Sequence, residues 1–228
     1  MSWEDIKENF IQFIIDNKVV GFLEQPIKLK SGRFSNFYVN WRTIAEDVYL
    51  FDQLTDYLIS YTKNLQLEPN CFYGVPEGAT KLGLITQYKW AKSHKNYNPG
   101  VFPLAMGRGK PKNHGESKDR YFLGIPKGNI VIVEDVSTTG TSLINTVKNL
   151  INQDVNIIAI IALTNREEIR NDGKYFLTIL EEMGLKYHAM SNVIDLLPRF
   201  SLNSDLVHKI ESYYKKYGIR EKDFNISS

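Results

Sequence analysis

A single cysteine among 228 residues excludes an intrachain disulfide and a cysteine-built metal cluster. It is Cys71, in the apolar run Cys71-Phe72-Tyr73, where a buried thiol is the ordinary expectation. Histidine is scarce too: there are four, and His94, His188 and His208 are too scattered to suggest a zinc site. Long apolar runs are missing. Even Ile157 to Leu163 is only of strand length, so no membrane span is expected. The formal charge of +2 gives no basis for a nucleic-acid partner, although a local basic patch could hold a small anion. Proline is sparse, and 43% apolar with 12% aromatic residues is the composition of a chain that buries a core. Met1-Ser2-Trp3-Glu4-Asp5 is acidic at once and unlike a secretory signal. The expectation is a soluble protein of a reducing compartment, the cytoplasm, folding as one domain over 1–228.

Hydrophobic spacing gives the organisation. Ile6, Phe10, Phe13 and Ile14 recur at helical intervals and predict an amphipathic helix over 3–17; a second is expected over 46–63. Between them, 21–40 reads as strand, turn and strand around Lys28-Leu29-Lys30-Ser31-Gly32-Arg33. From 71 onward short apolar runs alternate with helical segments. The expected strands are 71–75, 101–106, 129–136, 157–164 and 187–194, with helices near 78–91, 140–152 and 167–183. Ile130, Val131, Ile132 and Val133 are continuously apolar, as in a strand covered on both faces. The alternation predicts a parallel α/β sheet. Residues 107–124, Gly-rich and charged, read as a mobile excursion, and 203–217 as a C-terminal helix within the stretch 201–218.

The sharpest feature is Val133-Glu134-Asp135-Val136-Ser137-Thr138-Thr139-Gly140-Thr141-Ser142, a strand that passes through two carboxylates into small hydroxyl residues and a helix. Small residues let the backbone curl, and the free N–H groups and dipole of a helix start favour phosphate. Ligands of open α/β sheets sit beyond the carboxyl ends of the strands, where this loop belongs. Glu134 and Asp135 would repel phosphate, but as hydrogen-bond acceptors they suit ribose hydroxyls; strand alternation turns them in different directions. The alternative is an ordinary strand-to-helix turn with Ser or Thr caps. Neither a Walker loop nor Gly-x-Gly-x-x-Gly occurs.

This segment resembles the phosphoribosyl diphosphate signature of type I phosphoribosyltransferases, with Glu134 where Asp is frequent. The resemblance implies a central parallel sheet flanked by helices, with a small N-terminal substrate-covering region over about 1–40. It also implies that Glu134 and Asp135 hold ribose, while Ser137, Thr138, Thr139, Gly140 and Thr141 hold its 5-phosphate. Three further segments are similar to the orotate phosphoribosyltransferase family. In the segment 28–40, Lys30 matches a diphosphate-approaching lysine, and Phe37 and Tyr38 match an aromatic pair lying against the base; the plain alternative makes Phe34 and Phe37 core rings and Lys30 a surface charge. Gly107-Arg108-Gly109-Lys110-Pro111-Lys112-Asn113-His114-Gly115 resembles the family's flexible catalytic loop, whose Arg108, Lys112 and His114 would neutralise the departing diphosphate. Gly109 stands at a usual lysine position, for which Lys110 is the candidate replacement. Leu163-Thr164-Asn165-Arg166 resembles the segment whose arginine takes the orotate carboxylate, as a guanidinium can in two parallel bonds; a surface Arg–Glu pair is the alternative. One departure stands out: Tyr73-Gly74-Val75-Pro76-Glu77-Gly78-Ala79-Thr80-Lys81 carries Glu77 and Gly78 where Tyr and Lys are common. Gly74 and Gly78 could still form an anion nest, and Lys81 could replace the missing charge or turn to solvent.

The implied reaction transfers phosphoribosyl from phosphoribosyl diphosphate to orotate, giving orotidine 5'-monophosphate and diphosphate in pyrimidine biosynthesis. Mg²⁺ is implied, held mainly through substrate oxygens rather than by a protein ligand set. A homodimer with the catalytic loop shared across subunits is implied as well. The competing readings are a phosphoribosyltransferase for another base and a nucleotide-sensing regulator with the same fold.

Overall fold

The structure is a computed structural model that describes residues 3–109, 121–153, 155–219 and 226. Helix α1 spans Trp3–Asp16 and buries Phe10, Phe13 and Ile14 of the predicted stripe, with Ile6 half-buried and Ile11 buried beside them. Strands β1 (Val20–Lys28) and β2 (Phe34–Val39) form an antiparallel hairpin whose register shifts between Phe22 and Ile27. Helix α2 (Val48–Asn64) starts where the Asp47 carboxylate accepts the Leu50 N–H at 2.9 Å. There follow β3 (Cys71–Gly74), α3 (Thr80–Lys92), β4 (Met106–Gly107), β5 (Phe122–Leu123) and β6 (Asn129–Ser137). The chain continues through α4 (Thr141–Ile151), β7 (Asn156–Asn165), α5 (Phe176–Glu182), β8 (Tyr187–Asn192), α6 (Val193–Leu196) and α7 (Ser204–Tyr217).

Four of these strands form one parallel sheet in the order β3-β6-β7-β8. The apolar run of β6 explains itself in this setting. Alternation sends Val131 and Val133 into a core with α1, α2, α3 and α7, and Ile130 and Ile132 into a second core with α4 and α5. All four are fully buried. With both faces covered, polar residues appear in β6 only at its ends, and the carboxyl end is where Glu134 begins.

Two expectations are corrected. The stretch 101–106 is not a strand of the main sheet: only Met106 and Gly107 pair, antiparallel with Phe122 and Leu123. Pro103 lacks the N–H a ladder requires, and Leu104 faces solvent. The helix expected over 167–183 is confined to Phe176–Glu182. Ahead of it, Glu167 adopts a positive φ of 54°, Glu168 bridges to Gly218, and Gly173 turns at φ 78°. Polar contacts made by the backbone and side chains of 166–171 replace helical ones there.

The hairpin β1–β2 leads into Trp41, which lies across the sheet. The Trp41 indole donates to Thr164 Oγ1 at 3.0 Å, Thr164 bonds Ser191 at 3.0 Å, and Ser191 donates to the Leu163 carbonyl at 2.8 Å. A buried polar chain thus fixes the N-terminal region to the carboxyl ends of β7 and β8.

Candidate active site

A cleft of about 870 Å³ opens at the carboxyl ends of β3, β6 and β7. Five consecutive residues of the β6–α4 loop line it: Ser137, Thr138, Thr139, Gly140 and Thr141. Gly140 sits immediately before α4 with φ 67°, and a Cβ there would come within 2.6 Å of Phe176. Glycine is therefore required twice, for the left-handed turn and for the close approach. The first turn of α4 opens on this loop, so its unpaired N–H groups and dipole face the cleft. The loop is braced from both sides. Thr139 Oγ1 and Thr141 Oγ1 are 3.2 Å apart, Arg170 donates from Nη1 to the Thr139 carbonyl at 2.8 Å, and Lys30 Nζ donates to Ser142 Oγ at 3.1 Å.

Glu134 and Asp135 both line the cleft, Glu134 buried and Asp135 half-buried. Glu134 is buried and its Oε2 has no hydrogen-bond partner among the described residues. Burial, and then the adjacent Asp135 charge, hold its carboxyl well above the usual range, with Lys30 pulling the other way. Burial also raises Asp135, against the N–H groups of Val136 and Asp135 and the charges of Arg42 and Lys30. A Cβ on Gly78 would overlap the Asp135 carboxylate, so the β3–α3 loop closes directly over it. An orphaned, desolvated acceptor beside a second carboxylate calls for a ligand that brings hydroxyl donors.

The other expected residues divide. Lys30, Tyr38, Gly78 and Arg166 line the cleft with the loop. Phe37 does not: its ring is 0% exposed, stacked on Tyr214 with centroids 5.8 Å apart and lying under Arg166, whose Cζ is 4.0 Å from its centroid. Gly74 is a packing glycine, since a Cβ would overlap the Ala79 carbonyl. Lys81 is turned away and donates to the Ala45 carbonyl at 2.9 Å. Arg108 stands at the stem of the β4–β5 hairpin, its N–H bonded to the Tyr121 carbonyl at 2.9 Å. Lys110, Lys112 and His114 lie outside the described residues.

Arg166 is 2% exposed. Its Nε donates to Glu168 Oε1 at 2.6 Å, and Arg33 Nη1 reaches Glu168 Oε2 at 2.8 Å. Burial alone would weaken its charge, but Glu168 and the phenols of Tyr214 and Tyr213 outweigh that, and its pKa is raised. Sequence reasoning missed Arg33, Arg42, Glu168, Arg170 and Tyr213. The signal for Arg170 was there: Arg170-Asn171-Asp172-Gly173 is a turn sequence, not a helical one. Glu168 lies two residues from the Arg166 it grips, a pair readable only as a surface contact, while its bonds to Arg33 and Tyr213 come from residues 45 or more positions away.

No family model matches the chain. Its fold resembles that of the crystal structure of orotate phosphoribosyltransferase from Francisella tularensis, with a TM-score of 0.67 at 21% identity, covering 92% of this chain and 100% of that one. The enzyme of the same description from Aeropyrum pernix gives 0.64 at 21% identity, covering 83% and 97%. The likeness is one of fold: a parallel sheet flanked by helices, the architecture expected of the type I phosphoribosyltransferase class. Sequence narrows this further. The orotate phosphoribosyltransferase of Buchnera aphidicola subsp. Acyrthosiphon pisum is 30% identical over 171 residues, 74% of each chain. That of Kluyveromyces lactis is 25% identical over 224 residues, covering 94% of this chain and 96% of the relative. The chain belongs to the orotate phosphoribosyltransferase family.

Proposed function

We propose that this protein transfers the phosphoribosyl group of phosphoribosyl diphosphate to orotate, releasing diphosphate. One observation carries the reading: a glycine-turned helix start suited to phosphate and a buried guanidinium suited to a carboxylate line the same cleft. A phosphorylated sugar fits the 137–141 loop, with the ribose hydroxyls donating to Glu134 and Asp135. As the C1–O bond breaks, its electron pair leaves with diphosphate, and Arg108, Lys112 and His114 neutralise the charge that gathers there. A ring nitrogen of orotate forms the new bond to C1 and gives up its proton, while Arg166 fixes the carboxylate and Tyr38 borders the ring. Lys30, which lines the cleft, is assigned to approach the diphosphate. No covalent enzyme intermediate is required.

Mg²⁺ fits this site as a passenger of the substrate. Glu134 and Asp135, which line the cleft, are the side chains that would add oxygens to those of ribose and diphosphate. When bound it draws negative charge from the leaving group. No helix among the described residues is long and apolar enough to cross a membrane; the cytoplasm is the proposed place of action. We take the working form to be a homodimer.

The test supplies pure protein with Mg²⁺ and phosphoribosyl diphosphate, and separately with orotate, uracil, adenine or hypoxanthine. Diphosphate release with orotate alone is expected. Release with another base alone would overturn the assignment of orotate, and binding without turnover with every base would point to a regulator.

A further inference from the structure

Helix α7 had no function to read in the sequence, yet it is fastened to the segment that carries Arg166. Tyr214 donates its hydroxyl to the Arg166 carbonyl at 2.9 Å. The Ile169 N–H bonds the Tyr217 carbonyl at 2.8 Å, and the Ile219 N–H bonds the Glu167 carbonyl at 3.1 Å. From this helix Tyr213 donates to Glu168 Oε2 at 3.0 Å, and its hydroxyl is 3.5 Å from Arg166 Nη2.

The consequence is a guanidinium gripped on one edge and one face. Nε is held by Glu168, Nη2 lies between Ser35 Oγ at 3.4 Å and Tyr213, and the Phe37 ring covers the flat face. Nη1 makes no hydrogen bond within the described protein, while Arg166 borders the cleft. Glu168 is 0% exposed and accepts from Arg166, Arg33 and Tyr213 together. Two guanidiniums share its one carboxylate, so the trio retains net positive charge in a buried place. Rotation of Arg166 about its long side chain would unmake these contacts, and Tyr213 links the clamp to α7 by a side chain bonded to both partners.

We propose that Tyr213, acting with Glu168, is a positioning residue for base selection: it holds Arg166 so that Nη1 is presented to a carboxylate on a planar base. This rests on the reading of Arg166 given above. It makes α7 part of the substrate site, although Tyr213 itself does not line the cleft.

The experiment measures KM for orotate and for phosphoribosyl diphosphate in wild type, Tyr213→Phe, Arg166→Gln and the double variant, with Mg²⁺ present. Phe keeps the ring packing against Phe37 and Tyr217 and removes one hydroxyl. The loss of a hydrogen bond to a charged group should raise KM for orotate about tenfold in Tyr213→Phe, with the other KM within about twofold. In the Arg166→Gln background Tyr213→Phe should add nothing, because a residue acting through Arg166 has no effect once it is gone. If Arg166→Gln raises the orotate KM but Tyr213→Phe leaves it unchanged, or raises both KM values alike, or acts equally in both backgrounds, the proposal is overturned and the reading of Arg166 stands. If Arg166→Gln leaves the orotate KM unchanged, that reading falls and takes the proposal with it. Glu168→Asp, which withdraws the carboxylate by one methylene, provides the same comparison should Tyr213→Phe not fold.

Discussion

Glu134 shows how a single side chain can be kept at the expense of the fold. Its folded-state pKa is raised above that of the unfolded chain, mainly by burial. The folded protein therefore binds the proton more tightly than the unfolded one, and stability is fully present below the unfolded pKa and lost as pH rises through the folded value. At neutral pH a Gln in its place carries no such penalty. The ligand-free Glu134→Gln protein should melt higher than wild type near pH 7, and the advantage should vanish below about pH 4. Turnover should fall sharply because an amide offers a ribose one acceptor fewer. A thermal melt series across pH checks this, and an unchanged or lower melting temperature at pH 7 would contradict the burial of an ionisable Glu134. Gly140 is the opposite case, a residue whose left-handed turn and close approach to Phe176 the fold itself requires. Gly140→Ala forces a left-handed φ on a β-carbon and drives it into Phe176, so a loss of about 2–4 kcal/mol is expected in chemical denaturation.

Elements differ in how far the sequence discloses them. The β6–loop–α4 unit was legible because its signals are local: an apolar run, two acids, hydroxyl residues, a glycine, then an amphipathic helix. The strand at 101–106 was misread because apolar residues were weighed above Pro103, which cannot join a ladder. The 167–175 stretch was misread as helix because its charges suited a helix start, whereas its structure is set by contacts with Arg33 of the β1–β2 turn, with α7 and with the β6–α4 loop. Arg170 connects this irregular segment to the β6–α4 loop through the Thr139 carbonyl, with Asp172 holding its Nε at 3.3 Å. Replacing Arg170 by Met should loosen that loop while leaving the Arg166 cluster intact. The expected result is a KM for phosphoribosyl diphosphate raised about five- to twentyfold, with the orotate KM nearly unchanged. Parallel steady-state assays decide it, and equal rises in both would show that the segment acts as one block.

At the scale of the molecule, the described surface carries an apolar face on the two neighbouring helices α2 and α3. Lys81 bonds the Ala45 carbonyl just before α2, and Lys89 pairs with Asp52 at 2.8 Å and Asp56 at 2.6 Å, so the helices run side by side in register. Between those ties Val48 is 87% and Tyr49 71% exposed, with Ile85 and Tyr88 exposed on the facing turns. Apolar groups collected in this way suit a subunit contact. Ile85→Asp should shift the protein to monomer in sedimentation with its fold retained, and an unchanged dimer would move the contact elsewhere. The sharing of the catalytic loop between subunits has a more direct test. Lys112→Ala spoils a loop and leaves its own cradle intact, while Glu134→Gln spoils a cradle and leaves its own loop intact. In a mixed dimer one site then joins the sound cradle of the first subunit to the sound loop of the second. If the loop acts in trans, unfolding and refolding an equal mixture of the two inactive proteins should restore about one quarter of wild-type activity, since half the dimers are mixed and each has one good site. If the loop serves its own subunit, every site in the mixture keeps a defect and no activity returns.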